Sequence, residues 1–96
     1  MADAEVDVRN PSGLHARPAA TFVRAAGGFA ADVRVTNLTR DPDRSASAKS
    51  VLGVMGLGVS RGHRIRISAE GGDAEAAVRT LVDLVDGGIG EELDAG

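Results

Sequence analysis

The chain has 96 residues, which is enough for one small domain and too few for two cores. Its 43% apolar and 26% charged residues suit a soluble globular protein. Aromatic residues make up only 2% (Phe22 and Phe29), so the core must be aliphatic and there is no aromatic platform for stacking single-stranded nucleic acid. A formal net charge of −3 gives no general attraction to nucleic acid or anionic membrane, and zero cysteines exclude disulfides, thiolate metal sites and thiol catalysis. No apolar run approaches the roughly 18 residues of a membrane span, and no basic-then-apolar leader opens the chain, so a cytoplasmic location is expected.

Ala4 to Arg9 alternates apolar and charged residues and reads as a strand with one buried face. Asn10-Pro11-Ser12-Gly13 is a turn. From Ala16 to Ala26, the positions Ala19, Phe22, Val23 and Ala26 follow helical spacing, and Gly27-Gly28 is expected to end that helix in a left-handed conformation. Asp32 to Thr36 alternates again, Leu38 to Arg44 is a polar turn, and Ser45 to Ala48 is a candidate short strand. In Lys49 to Met55, Ser50 is a good N-cap and Val51, Val54 and Met55 have helical spacing, while Gly53, Gly56 and Gly58 keep any helix short. His63 to Ser68 is a strand. Asp73 is expected to cap a last helix over Ala74 to Asp86, with Ala77, Val78, Leu81, Leu84 and Val85 inward and Gly87-Gly88 as its stop. Residues 91–96 read as a frayed tail of the single domain 1–96. The order βαββαβα predicts an α+β open-faced β-sandwich: a four-stranded antiparallel sheet with three helices on one face.

The stretch Ser12-Gly13-Leu14-His15-Ala16-Arg17-Pro18 sets His15 just ahead of the first helix. The first N–H groups of a helix lack internal partners and, with the helix dipole, form a place for an anion. Arg17 supplies a planar fork of donors suited to phosphate oxygens. Pro18 lacks an N–H where none is needed, and Gly13 permits a sharp entry. These pieces suit a histidine that takes up a phosphoryl group. The same residues also admit a plainer reading, with His15 capping a helix and Arg17 as a solvated charge. No second His, Cys or paired carboxylate stands near enough in sequence to suggest a metal, and His63 reads as a partly exposed strand residue.

The motif Gly13-Leu14-His15-Ala16-Arg17-Pro18-Ala19 resembles the active-site motif of the HPr family, the histidine phosphocarriers of the bacterial phosphotransferase system. Ala48 to Gly58 is similar to that family's regulatory-serine segment, and the resemblance runs to about Asp86. It implies an open-faced sandwich and a carrier with a transient phosphohistidine rather than a stand-alone enzyme. His15 would accept a phosphoryl group at Nδ1 from phosphorylated enzyme I and pass it to a sugar- or polyol-specific IIA component. Arg17 and the backbone of Ala16 and Arg17 would stabilise the group, and Ser12 would add a hydroxyl unless it serves only the turn. Docking would use an apolar patch of Ala20, Val51, Leu52 and Met55, rimmed by Arg24 and Lys49. Val51 and Met55 could equally be core.

Ser50 is the candidate regulatory phosphoserine, which would require an HPr kinase, and it has a complete role as an N-cap besides. Neither cofactor nor metal is implied, and a monomer is expected. The sequence departs from the family pattern in the added Arg40-Asp41-Pro42-Asp43-Arg44 and in Gly56. The segment Gly62 to Ala77 also resembles the HPr-like domain of dihydroxyacetone-kinase phosphotransferase subunits, an alternative acceptor system, although a chain of one domain suggests a free carrier. A more distant alternative is a non-catalytic ligand-binding or RNA-binding α+β module, which lacks sheet aromatics, a basic face and a Gly-rich nucleotide loop.

Overall fold

A computed structural model describes residues 1–91. The elements run in the expected order: β1 (Ala2–Asp7), α1 (Ala16–Gly27), β2 (Asp32–Asn37), β3 (Ser45–Ser47), α2 (Val51–Gly56), β4 (Arg64–Glu70) and α3 (Ala74–Asp86). The four strands form one sheet in the order β1-β4-β2-β3, and every neighbouring pair is antiparallel. The open-faced sandwich inferred from the alternation is the fold.

The register explains why one sheet face is covered and the other is not. Val6 lies opposite Ile65, and Val35 lies opposite Ile67. These side chains are buried and meet the aliphatic stripe of the helices, Ala19, Phe22, Ala77, Val78, Leu81 and Val85 among them. Each of the larger side chains contributes roughly 1.5–3 kcal/mol by leaving water, and each alanine less. Helix α3 packs on β1 and β4, α2 on β3, and α1 on α2 and α3. On the outer face the same register sets Glu5 opposite Arg66 and Asp7 opposite Arg64. Arg64 donates to Glu5 at 2.9 Å and to Asp7 at 2.8 Å, and Arg66 donates to Glu5 at 3.3 Å. Those hydrogen bonds hold the Glu5 carboxyl below its usual range, with Arg64 the larger cause, and raise Arg64 in turn.

The strand limits shift slightly from the sequence reading. β1 starts earlier, at Ala2, yet Val8 beyond its end still donates to the His63 carbonyl at 2.9 Å and accepts from Gly62 N–H at 2.7 Å. Past β3, Ala48 donates to the Val33 carbonyl at 2.8 Å.

Three local expectations are corrected. The end of α1 does not use a left-handed glycine, because Gly28 has φ −76°. The last turn tightens instead, Gly28 donating to Ala25 and Phe29 to Ala26, each at 3.2 Å, which satisfies the last carbonyls without a positive φ. Asp73 occupies the N-cap of α3 but makes no side-chain cap bond. Its carboxylate instead accepts the N–H groups of Ala30 and Ala31, both at 2.8 Å, tying the end of the α1–β2 loop to α3. Those bonds, Ala30 first, lower the Asp73 pKa. Glu91, read as the first residue of a frayed tail, is fastened to Asn10 and Ser12. Residues 92–96 lie outside the described residues.

Candidate functional site

The approach to His15 is built by Asn10 and Gly13. Asn10 is fully buried; its Nδ2 donates to the Gly13 carbonyl at 2.9 Å, and its own carbonyl accepts Gly13 N–H at 3.1 Å. Gly13 has φ +58°, and a Cβ there would run into the Val59 carbonyl and come within 2.8 Å of Ser60 Cα. Glycine is therefore required twice, for the left-handed turn and for the close approach of another backbone. Leu14 N–H then donates to that Val59 carbonyl at 3.1 Å, and the Leu14 side chain is fully buried. The chain then emerges at His15.

His15 is the N-cap of α1, with extended backbone at φ −120° and ψ 156°. It is partly exposed, and its side chain makes no cap hydrogen bond, which removes the reading of His15 as a mere cap. Ala16 follows with φ +49°, a left-handed conformation in a residue with a Cβ. Such a backbone costs on the order of 1–2 kcal/mol and persists only where its surroundings impose it. Arg17 is exposed on the first turn, Pro18 and Ala19 are buried behind it, and that turn has no acidic residue. The turn thus has open N–H groups, an arginine beside them and no carboxylate of its own competing for an anion.

Ser12 has other partners. Its hydroxyl donates to Glu91 Oε2 at 2.9 Å, and its N–H donates to Glu91 Oε1 at 3.0 Å. Asn10 Nδ2 also donates to Oε1, at 2.9 Å. These three bonds, that of Asn10 first, hold the Glu91 carboxyl below its usual range. Neither Asn10 nor Glu91 was among the candidates. The available signal was Gly87-Gly88-Ile89-Gly90, a glycine cluster that can reverse the chain rather than release it.

On α2, Ser50 is the expected N-cap, with Oγ accepting Gly53 N–H at 3.0 Å. Leu52 is 84% exposed and Val51 38%, so neither is core; Val54 is buried, and Met55 packs partly against the interior. Ala20 is partly exposed on α1, Arg24 lies exposed in its last turn, and α1 packs beside α2. Lys49 is exposed, with Nζ donating to the Phe29 carbonyl at 2.7 Å. The candidate docking residues therefore lie on two neighbouring helices, with Lys49 in the turn just before α2.

His63 has a structural role. Its Nδ1 accepts Ser60 N–H at 3.1 Å and lies 3.1 Å from Asn37 Nδ2, so two donors face one nitrogen. Buried Asn37 also donates to the Leu57 carbonyl at 3.2 Å. The added turn finds a place as well: the Arg40 guanidinium lies against Gly58, where a Cβ would sit, and Arg44 lies beside Gly56.

A family model described as the PTS HPr component phosphorylation site matches residues 2–86. The phosphocarrier protein HPr of Vibrio cholerae is 44% identical over 86 residues, covering 90% of this chain and 96% of that protein. The multiphosphoryl transfer protein of Haemophilus influenzae is 42% identical over 88 residues, which are 92% of this chain but 17% of that longer protein. Among solved structures, HPr-C-His from Thermoanaerobacter tengcongensis superposes with a TM-score of 0.87 at 42% identity, covering 96% of this chain and 99% of that one.

Proposed function

This chain belongs to the HPr family of phosphocarriers of the phosphotransferase system, and from that premise we propose that His15 is the phosphoryl acceptor, loaded by phosphorylated enzyme I and unloaded onto a IIA component. The observation that carries this reading is the His15 side chain: partly exposed at the start of α1 and free of any cap bond. In the loading step, the Nδ1 lone pair attacks phosphorus. The bond from phosphorus to enzyme I breaks as the new N–P bond forms, and the pair of electrons leaves with enzyme I. The His15 ring keeps its proton on Nε2 throughout. Unloading is the same exchange in the other direction, with the IIA component as acceptor.

Arg17 and the N–H groups of Ala16 and Arg17 hold the phosphoryl oxygens by charge-assisted and dipole-assisted bonds. The site is open to solvent, which suits a carrier that must not retain its cargo. Ser12 joins this set only by exchanging its Glu91 bonds for a phosphoryl oxygen. Docking of both partners uses Ala20, Val51, Leu52 and Met55, with Arg24 and Lys49 at the rim; the high exposure of Leu52 supports this. Phosphorylation of Ser50 by an HPr kinase would place negative charge on that surface. On this reading the carrier works in the cytoplasm as a monomer. Among the described residues, no helix is long and apolar enough to cross a membrane.

Incubation with enzyme I and phosphoenolpyruvate should add one phosphoryl group, labile in acid and stable in base. His15→Ala should abolish the addition. His63→Ala should still be labelled, although it melts at a lower temperature, because Ser60 and Asn37 lose an acceptor. Adding a IIA component should then discharge the labelled protein; discharge by a dihydroxyacetone-kinase subunit in its place would identify the other acceptor system. Full labelling of His15→Ala would remove His15 from the role.

A further inference from the structure

The loop that presents His15 is braced from the far end of the chain. Beyond α3, Gly88, Ile89 and Gly90 have φ values of 93°, 52° and 85°. Three left-handed residues in a row reverse the chain, and the middle one is β-branched, a type that strongly resists this conformation. Ile89 is nonetheless held there, 3% exposed within the core. This hook delivers Glu91 to the turn before His15. Its carboxylate accepts from Asn10 Nδ2 at 2.9 Å, Ser12 N–H at 3.0 Å and Ser12 Oγ at 2.9 Å. Asn10 is itself locked to Gly13 in both directions, so Glu91, Asn10, Ser12 and Gly13 form one bonded unit. Without Glu91, Ser12 has no side-chain bond among the described residues, and Asn10 retains only its bonds to Gly13.

We infer that Glu91 is a positioning residue for phosphoryl transfer: its carboxylate gathers donors from Asn10 and Ser12 and so fixes the loop that presents His15. The inference rests on the carrier reading above for its effect on rate, and on the geometry alone for its effect on the loop. Transfer requires the ring nitrogen in line with the incoming phosphorus, and small misplacements of a reacting group slow such steps steeply. Glu91 acts through the backbone and leaves the docking surface on α1 and α2 unaltered. The maximal rate should therefore change while the concentration dependence on enzyme I does not.

The test compares the full chain with Glu91→Ala and Glu91→Gln in two measurements. The first is amide hydrogen exchange at Ser12, Gly13 and Leu14, which needs no partner. The second is single-turnover transfer over a range of phosphorylated enzyme I concentrations, with a thermal melt of each protein beside it. Glu91→Ala should exchange faster in that loop and lose roughly tenfold in maximal rate, at an unchanged half-saturating concentration. Glu91→Gln keeps an acceptor oxygen and should recover most of both. Wild-type exchange together with a wild-type maximal rate in Glu91→Ala would overturn the inference, as would a loss confined to half-saturation. Absence of labelling in the wild type would sink the carrier reading and the rate effect with it, while exchange would still report whether the brace exists.

Discussion

Backbone strain and the proposed phosphate chemistry meet at residues 15 to 17. Ala16 holds φ +49° between an extended His15 and the regular helix, so the chain turns sharply where the first free N–H groups begin. A side chain on Ala16 adds nothing to this; what matters is the direction it imposes on the peptide groups. Arg17 is the only charged side chain on that turn, exposed to solvent. Its expected effect is kinetic. Arg17→Ala should keep the melting temperature within a degree or two, since exposed substitutions generally change stability by less than about 0.5 kcal/mol. Transfer from phosphorylated enzyme I should slow by roughly one to two orders of magnitude, the scale of losing a charged donor to a developing anion. Arg17→Lys should restore only part, because an ammonium cannot bond two phosphoryl oxygens in one plane. Unchanged transfer kinetics in Arg17→Ala would remove the residue from the site. The motif made His15 and Arg17 legible as candidates in the sequence because the proposed chemistry depends on local order along the chain. Asn10 and Glu91 were not legible, since their meaning comes from a contact across 81 residues.

At the scale of elements, α2 separates capping from the proposed docking. The Ser50 Oγ bond to Gly53 closes the first turn of a helix of only 6 residues, and Val51 and Leu52 follow directly on its outer side. Ser50→Ala should cost about 1 kcal/mol, read as a lower melting temperature. Ser50→Asp should melt like the wild type, because Asp caps as well and its charge suits the helix start. It should nevertheless raise the enzyme I concentration needed for half-maximal phosphorylation, through a negative charge at the docking face. Normal melting with wild-type concentration dependence would take Ser50 off that face. The elements themselves were read closely from periodicity: α3 spans Ala74–Asp86 as expected, and α2 was anticipated from one cap and three spaced apolar residues. The misreadings concern end groups. Gly28 and Asp73 both looked like helix terminators of known type, yet Gly28 closes a tightened turn and Asp73 reaches another loop. A short side chain or a carboxylate near a helix end has several possible partners, and sequence order does not choose among them.

Across the whole molecule, carboxyls join distant parts, among them Glu5 between two strands, Asp73 between α3 and the loop before β2, and Glu91 between the C-terminal hook and the His15 loop. Each has its pKa lowered in the folded protein. Their stabilisation is therefore complete above the unfolded carboxyl value of roughly 4 and is lost as pH falls through the folded values. Thermal melts from neutrality down to about pH 3 should show a falling melting temperature below about pH 4. Asp73→Asn should melt lower at neutral pH and fall less steeply in acid; the full wild-type acid slope in that variant would show that Asp73 is not one of the linked groups. The fold as a whole was readable because its register puts aliphatic side chains on one face and charges on the other, a pattern visible in β1, β2 and β4. A phosphorus–proton correlation spectrum of the protein freshly loaded by enzyme I and phosphoenolpyruvate observes directly where the phosphoryl group goes. One phosphorus resonance coupled to the His15 ring, with phosphorus on Nδ1 and the His63 ring unlabelled, is the expected result. Phosphorus on any other side chain, or no protein-bound phosphorus at all, would contradict it.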